Sequence, residues 1–408
     1  MTFRLNMRTN QAESDTLLDG LREDSGVQEA LLNTGLRVWV VARYAEAKAA
    51  LLDSRLVKDP RKLPGGSRPF GGRRHPEDAF AVLGRHALNT DGAEHRRLRE
   101  LLAECLSPSM VEQRRAQVEE IIYRGVTGLG RATRPDLVTG FANPVLAAVL
   151  GEIVGIEPEL MAELVSTSRI VMSDADPQAP EMRDAYERYR QLVLRAVAEH
   201  DEFPADGTLL KRAFRDYHPR KKLSLSEITT MLAVVIFAGT NTSATLIAYG
   251  AAVLSTRPDL VDRLLESEQG SAAVVEEVLR YHPSAPFASW RFATEDVELG
   301  GVVIPQGATV LVALAAANRD PRAFDNANEV DLTRIRLPRH LSFGHGPHFC
   351  VGAPLARSAA GVALQALFVR YPQIIIAGRL EDLRWSTNLG DRHLSSLPVV
   401  LEPEAGSQ

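Results

Sequence analysis

The stretch FGHGPHFCVG at positions 343–352 holds the densest group of reactive residue types in the chain. Its glycines and proline indicate a tight loop whose backbone comes close to a neighbour, and Pro354 marks the start of a helix just beyond Cys350. A thiolate at a helix N-terminus is stabilised by free backbone N–H groups and by the helix dipole. Cys350 is therefore expected to be a deprotonated metal ligand.

Two other interpretations of this stretch stay open. In the first, Cys350 is a buried structural cysteine; in the second, His345, His348 and Cys350 together bind zinc. Zinc needs a fourth ligand from a second cluster, and no paired Cys or His occurs elsewhere in the chain. The sequence thus argues against zinc.

Two pairs of charged residues recur at helical spacing. Glu277 and Arg280 are three positions apart, and His95 and Arg99 are four apart, so each pair lies on one face of a helix. Taken alone, the first pair is typical of a solvated surface ion pair. The second is typical of a solvated basic helix face.

The segment from Ile228 to Thr256 contains no charged residue. Its length permits a membrane span, which needs about 20 mostly apolar residues. Polar side chains at 240–243 and 245 interrupt its middle, however, where hydrocarbon penalises them. We therefore expect a central helix buried in a large protein, and the capping-box spacing of Ser224 and Glu227 predicts its start.

Taken together, these motifs resemble those of the cytochrome P-450 family. The stretch 343–352 matches the family's haem-ligand loop, F-G-x-G-x-H-x-C-x-G, at every defined position, and Glu277 and Arg280 match its Glu-x-x-Arg signature. The resemblance covers nearly the whole chain. It implies a mainly α fold with small β-sheets (α+β), in a single domain over residues 1–408 around a buried haem b.

The resemblance also implies roles around the haem. Cys350 is implied to be the axial ligand of the haem iron, and Glu277 and Arg280 form a structural pair. In the family a third arginine often completes this network, but the stretch 324–334 places Glu329 there instead. Arg96 and Arg97 are assigned to a basic docking face for acidic iron–sulfur partners. The residues implied to bind the haem or its propionates are His95, Arg99, Arg291, His348, Phe343, Gly344 and Gly352.

The middle of the central helix resembles the family pattern A-G-x-[D/E]-T-[T/S]. Ala238 and Gly239 match the small residues that leave a groove for dioxygen, and Thr242 matches the proton-managing threonine. Asn241 departs from the pattern, because an amide donates hydrogen bonds but does not transfer a proton as a carboxylic acid does. The favoured interpretation is that Asn241 packs, while water or another residue carries protons.

Family position also predicts a substrate pocket. It would be formed by loop 63–86, the region 168–185 and four side chains, of which the two phenylalanines favour an apolar ligand. Basic residues in the 58–76 loop could recognise an anionic or carrier-bound substrate, although a solvated loop is the simpler explanation. The four side chains are Val234, Phe237, Phe287 and Leu389, and the basic residues are Arg61, Lys62, Arg68, Arg73 and Arg74.

The implied activity is that of a monooxygenase that tailors a secondary metabolite with O2 as co-substrate. The 408 residues contain no flavin or reductase domain, so electrons are expected from ferredoxin and ferredoxin reductase. Asn241 favours an alternative, radical C–C or C–N coupling or cyclisation without oxygen insertion. Two further alternatives are a haem-binding sensor or carrier and a haem-free membrane or zinc protein.

Composition limits the remaining possibilities. Acidic residues outnumber basic ones by 52 to 47, for a formal charge of −5, so no nucleic-acid partner is expected. Two cysteines, Cys105 and Cys350, and an N-terminus without an apolar signal core favour a cytoplasmic location without a membrane partner. Cys105 has no assigned role.

Helices must position most of these residues, and short strands the rest. Strands are concentrated in β-rich parts at about 30–60 and 285–320, and no repeat or linker divides the chain. Apolar periodicity predicts helices at 43–53, 94–104, 111–128, 142–153, 158–172, 180–200, 207–216, 257–268, 271–282 and 354–371, besides the central one. The predicted strands are 36–41, 287–304, 308–314, 373–377 and 397–401.

Overall fold

The computed structural model describes residues 3–401 except for positions 8, 24, 34, 65–83, 172–178 and 335–338. Helices dominate this part of the chain, and small β-sheets accompany them, so the predicted mainly α fold is confirmed. The α-helices are α1 (Gln11–Gly20), α2 (Tyr44–Leu52), α3 (Gly92–Cys105), α4 (Pro108–Gln113), α5 (Arg115–Leu129), α6 (Asn143–Val154), α7 (Pro158–Val171), α8 (Pro180–Ala198), α9 (Leu209–Arg212), α10 (Leu225–Leu254), α11 (Pro258–Glu266), α12 (Glu268–Tyr281), α13 (Leu314–Ala317) and α14 (Ala353–Arg370). The strands are β1 (Phe3–Leu5), β2 (Val27–Leu32), β3 (Arg37–Val41), β4 (Leu56–Val57), β5 (Arg291–Ala293), β6 (Val297–Leu299), β7 (Val302–Ile304), β8 (Thr309–Val312), β9 (Ile375–Ile376) and β10 (Val399–Val400).

Helix α10 is the uncharged central helix predicted from the sequence. Ser224 Oγ accepts a hydrogen bond from the Glu227 N–H at 3.2 Å, and Glu227 Oε2 accepts one from the Ser224 N–H at 2.8 Å. The predicted capping box therefore starts the helix. Among the described residues, α10 is the one helix long and apolar enough to cross a bilayer, but most of it is buried against neighbours such as α6 and α14. Protein packing therefore explains its apolar composition.

Two apolar clusters meet along α10. Near its N-terminal half, Leu232 and Ile236 belong to a cluster with side chains of α3, α7 and α8. Near its C-terminal half, Ile247 and Ala248 belong to a cluster with side chains of α5, α12 and α14. Burying one large aliphatic side chain contributes about 1.5–3 kcal/mol, so α10 is held in place from both ends.

The larger sheet brings distant parts of the chain to one side of the molecule. Its six strands run in the order β1-β2-β3-β8-β5-β4. Leu5 of β1 lies opposite Leu32 of β2, and Arg291 of β5 lies opposite Val310 of β8. The pairing therefore joins N-terminal strands and the strand of Arg291, which is expected to contact the cofactor, in one sheet.

Two predicted helices are interrupted. The helix predicted at 111–128 is divided into α4 and α5 at Arg114, whose φ of −101° departs from helical geometry. The helix predicted at 207–216 consists of the short α9 followed by a π-helical turn, Ala213–Tyr217. Apolar periodicity continues across both interruptions, which is why the sequence predicts single helices.

Several short elements were not predicted. Helix α1 and strand β1 lie outside the predicted segments, whereas β2 and β4 overlap the predicted β-rich part at about 30–60 but were not predicted as individual strands. The segment predicted as one extended region at 287–304 contains three short strands. A strand of two residues, such as β4, exists only because β5 supplies its hydrogen-bond partners. Local sequence carries little information about such pairing. The single-domain boundaries 1–408 stay a prediction.

Candidate active site

The loop at 343–352 is held in one conformation by its own backbone. The Cys350 N–H donates to the Phe343 carbonyl at 2.8 Å. Gly346 has a φ of +76°, and a Cβ at this position would lie 2.8 Å from Leu52 Cδ2. A residue with a Cβ would be strained at this φ and would have to move the Leu52 side chain, so glycine suits the position. Helix α14 begins directly after the loop, as predicted.

The surface that Cys350 exposes faces an internal cavity. Burial raises the pKa of its thiol, whereas the backbone N–H groups of Gly352 and Ala353 and the charge of Arg99 lower it. The net effect is a pKa above the usual range. The helix terminus thus favours the thiolate, as predicted, but does not by itself keep the cysteine deprotonated. A metal cation at the sulfur would supply the missing stabilisation.

Buried cationic side chains lie beside this loop on the same cavity. The rings of His95 and His348 lie with their centroids 4.1 Å apart. His95 and Arg291 are buried, and the His348 side chain is 10% exposed. Three of their nitrogens, His95 Nε2, His348 Nδ1 and Arg291 Nε, have no hydrogen-bond partner among the described residues. Buried donors without acceptors are uncommon in native proteins and indicate a site for a ligand.

Burial disfavours the charged forms of these groups as long as no anion lies against them. Burial lowers the pKa of His95 to about 4 and that of Arg291 to about 10. Burial also lowers the pKa of His348, although the Asp91 carboxylate 3.7 Å away opposes the change. Carboxylates placed against these donors would favour their protonated forms. An iron for the thiolate and two carboxylates for the cations are the features of haem b, so the donor set fits that cofactor.

Arg99 lies between the cationic group and the ligand loop. It borders the cavity, and its Nη2 donates to the Phe349 carbonyl at 2.5 Å. Burial lowers its pKa, while the charge of Cys350 raises it. Its neighbours on α3 behave differently, because Arg96 is exposed and Arg97 pairs with Glu227 at 2.6 Å. The docking role predicted for Arg96 and Arg97 stays a prediction.

The Glu-x-x-Arg pair is a buried network and not a solvated surface pair. Arg280 Nη2 donates to Glu277 Oε1 at 2.8 Å, and the two side chains are 2% and 8% exposed. Arg334 Nε donates to the same Glu277 oxygen at 3.2 Å. The interpretation that placed Glu329 in this network was wrong about its third side chain. Arg334 supplies it, and Glu329 contributes only its backbone carbonyl, which accepts from both arginines.

One internal cavity of about 800 Å³ joins the ligand loop to the central helix. Ala238, Gly239 and Thr242 line it together with Cys350, as the predicted dioxygen groove requires. Gly239 has a second reason to be small, because a Cβ there would lie 3.1 Å from Leu150 Cδ2 on α6. The groove and the close packing of α6 on α10 therefore both require a small residue at position 239.

Thr242 keeps its hydroxyl within reach of the cavity. Its Oγ1 donates to the Ala238 carbonyl one turn earlier, at 2.7 Å. The hydroxyl proton is thus engaged in the helix, and the oxygen lone pairs remain able to accept hydrogen bonds from the cavity.

Asn241 does not line the cavity. It is 2% exposed, and its Nδ2 donates to Asp391 Oδ2 at 3.0 Å. Asp391 itself borders the cavity, and it is the one Asp or Glu among the described residues that does so. Asp391 was not predicted as a site residue, because the segment GDRH at 390–393 carries no periodic or motif signal.

The four predicted substrate-pocket side chains all border the cavity: Val234, Phe237, Phe287 and Leu389. Phe287 and Leu389 are joined by a backbone hydrogen bond of 3.3 Å from the Phe287 N–H. The predicted pocket loops fall partly outside the described residues, including Arg68, Arg73 and Arg74. The described ends of these loops do contribute, through residues such as His86 and Met182. The N-terminal contributors, which the sequence did not predict, are Leu5, Asn6, Met7, Leu32, Asn33 and Leu36.

Two alternative interpretations find no support in the described residues. Among them, no three His, Cys, Asp or Glu side chains lie together as a metal-binding group, so zinc at Cys350 is unsupported. The segment whose length permits a membrane span, α10, is mostly buried against other helices of the protein. Cys105 is buried away from the cavity, and burial raises the pKa of its thiol to about 11.

Comparisons with known proteins agree with this arrangement. The family model for cytochrome P450 matches residues 271–377. The chain is 36% identical to 6-deoxyerythronolide B hydroxylase of Saccharopolyspora erythraea, over 90% of this chain and 91% of that protein. The solved structure of CYP154C4 from a Streptomyces species has a TM-score of 0.90 and 31% identity, covering 100% of both chains. The structure of CxnD, an enzyme for C–S bond formation in chuangxinmycin biosynthesis, has a TM-score of 0.84 and 29% identity, covering 98% of this chain and 97% of CxnD.

Proposed function

Because the chain belongs to the cytochrome P450 family, we propose that it inserts one oxygen atom of O2 into an apolar secondary metabolite. As a member of this family, it is an oxidoreductase that binds haem b, uses O2 and small-molecule substrates, and receives electrons from redox partners. The proposed reaction is RH + O2 + 2 e⁻ + 2 H⁺ → ROH + H2O. The relative named 6-deoxyerythronolide B hydroxylase supports hydroxylation as the specific outcome.

The observation that carries this proposal is the shared cavity of Cys350 and the small residues of α10. Cys350 would be the axial ligand of the iron, in a loop with Phe343, Gly344 and Gly352. When bound, haem supplies the activation of O2, and a thiolate ligand favours cleavage of the O–O bond. The residues that would hold the haem carboxylates are His95, Arg99, Arg291 and His348.

Other residues would do work that the cofactor cannot do. Ala238 and Gly239 would leave space for O2, and Thr242 would hold a hydrogen-bonded proton donor at its hydroxyl oxygen. The apolar pocket would orient the substrate and exclude water, which strengthens every polar interaction inside it. Its proposed members are Val234, Phe237, Phe287 and Leu389.

We assign the electron supply to ferredoxin and ferredoxin reductase and the location to the cytoplasm. The apolar helix α10 is explained by burial in the protein, which is consistent with an enzyme that works in water. Arg96 is exposed on α3, the helix whose Arg99 contacts the ligand loop. An exposed cation at this place supports a docking face for an acidic partner.

The second candidate is radical coupling or cyclisation without oxygen insertion. It is supported by Asn241, which replaces the family's acid, and by the similarity to CxnD, whose named reaction is C–S bond formation. Both candidates use the same cofactor and cavity. They differ in the fate of the oxygen atoms.

Isotope labelling separates the two candidates. Substrates are first identified by the spin-state shift that they cause in the purified protein, and turnover is then run under ¹⁸O2 with surrogate ferredoxin and reductase. We expect one ¹⁸O atom in the main product. A main product without ¹⁸O would favour coupling over oxygen insertion.

A matched pair of cysteine variants tests the proposed iron ligand. We expect Cys350→Ser to lose the carbon monoxide difference spectrum of thiolate-ligated haem, whereas Cys105→Ser keeps it. Retention of that spectrum in Cys350→Ser would exclude Cys350 as the ligand. No haem binding by the wild-type protein would overturn the proposed function as a whole.

A further inference from the structure

The carboxylate of Asp391 occupies an unusual position beside the central helix. It is 4% exposed and borders the active-site cavity, although it lies 150 positions after its hydrogen-bond partner Asn241. We infer that Asp391 passes protons to the oxygen-binding side of the cavity, in place of the acid that position 241 lacks. This inference rests on the proposed use of O2, but not on the identity of the substrate.

The two oxygens of Asp391 have different surroundings. Oδ2 accepts the hydrogen bond from Asn241 Nδ2 at 3.0 Å, which fixes the orientation of the carboxylate. Oδ1 is buried and has no hydrogen-bond partner among the described residues, and the same is true of Asn241 Oδ1. A buried acceptor that borders a cavity is suited to bind a water molecule and exchange a proton with it.

The position of Asn241 connects this carboxylate to the oxygen groove. Asn241 directly precedes Thr242, whose hydroxyl borders the cavity. Asp391 and Thr242 thus border the same cavity, and the residue that holds the Asp391 carboxylate is the chain neighbour of Thr242. Hydrogen-bonded water between the two groups would complete the path, as buried polar groups commonly bind water.

His393 provides the connection from Asp391 to solvent. Its Nδ1 lies 3.5 Å from Asp391 Oδ2, and its side chain is 22% exposed. Burial and the charge of Arg169 lower the pKa of His393, but the Asp391 carboxylate raises it more strongly, so the net shift is upward. A histidine with one edge at the surface is a common proton shuttle, because its pKa lies near physiological pH.

The same geometry explains why an amide suits position 241. A carboxylate in place of Asn241 would face Asp391 at about the present 3.0 Å, and two buried like charges at that distance repel strongly. Asparagine instead donates a hydrogen bond to the carboxylate. The acid therefore lies in the 387–391 segment and not on α10, and Asn241 and Asp391 together carry one negative charge.

Comparing two oxidants isolates proton delivery from substrate binding. The O2-driven reaction consumes two electrons and two protons from outside, whereas RH + H2O2 → ROH + H2O consumes neither. We expect Asp391→Asn to lower O2-driven product formation per NADPH by about 10²-fold, and peroxide-driven formation by less than about twofold. The comparison measures the yield of product with each oxidant, so it applies whether or not the product contains oxygen from the oxidant.

Two further variants act as controls. The exchange variant Asn241→Asp/Asp391→Asn keeps one carboxylate and one amide in contact, and we expect it to recover O2-driven yield to within about fivefold of wild type. Asp382→Asn removes an exposed carboxylate from the same C-terminal segment, and we expect no change. The carbon monoxide spectrum of each variant verifies that the fold and the haem are retained.

A direct measurement on the histidine completes the test. In the NMR titration of the His393 ring, identified by its loss in His393→Gln, we expect Asp391→Asn to lower the pKa of His393. Equal losses with O2 and with peroxide would show that Asp391 binds substrate, and unchanged yield with O2 would show that it has no role; either result overturns the inference. A wild-type protein that forms no product with either oxidant but binds haem would instead contradict the proposed function.

Discussion

Glu277 and Asp391 are both buried carboxylates beside a helix, but their surroundings differ. Both oxygens of Glu277 accept hydrogen bonds, from Arg280 and from Arg334. Asp391 has one oxygen bonded to Asn241 and one without a partner among the described residues. The first carboxylate is saturated by fixed cations, whereas the second remains able to bind something else.

The difference separates a structural group from a chemical one. A fully bonded buried ion pair resists change, because removing either partner leaves an uncompensated charge in a medium of low dielectric constant. A partly bonded carboxylate next to a cavity exchanges water and protons at little cost to the fold. Saturation of hydrogen bonds, rather than burial alone, therefore distinguishes the two sites.

The largest effect is expected at the saturated carboxylate. Glu277→Gln would leave Arg280 and Arg334 buried without an anion, so we expect the free energy of unfolding to fall by about 3–5 kcal/mol. Chemical denaturation of the haem-loaded protein measures this change. The matched control is Glu266→Gln, which breaks the exposed pair with Arg263 and should cost less than about 1 kcal/mol. Similar losses in the two variants would contradict the structural role of Glu277.

An intermediate effect is expected when a second carboxylate is placed at the unsaturated site. In Asn241→Asp, one of the two facing acids should keep its proton in the folded state, because its pKa is raised by the other. The folded protein then binds more protons than the unfolded chain, so stability falls as pH rises. We expect a loss of about 2–3 kcal/mol relative to wild type near neutral pH, and less near pH 5. Denaturation at several pH values measures it, and a pH-independent loss would contradict the charge repulsion.

The smallest effect concerns His393. Its pKa is raised in the folded protein, so the pairing with Asp391 adds stability that is fully present below about pH 6.5 and is lost as pH rises through the raised value. Asp391→Asn should remove this pH dependence, with a change of less than about 1 kcal/mol. Parallel denaturation curves of wild type and variant across this range would show that the pair does not contribute to stability.

The same contrast explains what the sequence could predict. The ligand loop, the Glu277–Arg280 pair and most of the long helices follow from local spacing and occur in the structure, whereas the helix predicted at 111–128 is interrupted at Arg114. Glu329 was placed where Arg334 belongs because the loop before the ligand has no periodicity that fixes which residue reaches Glu277. Asp391 was missed because it meets Asn241 only through the tertiary fold, and no local pattern encodes a contact across 150 positions. The two-residue strand β4 was missed for the same reason.

The ion pair between Arg97 and Glu227 has a consequence for assembly. Arg97 lies on α3 beside His95 and Arg99, whereas Glu227 belongs to the capping box of α10, and neither side chain borders the cavity. The pair therefore forms independently of any ligand. It links the start of the central helix to the helix that carries His95 and Arg99, so the contact between these two helices does not depend on the cofactor.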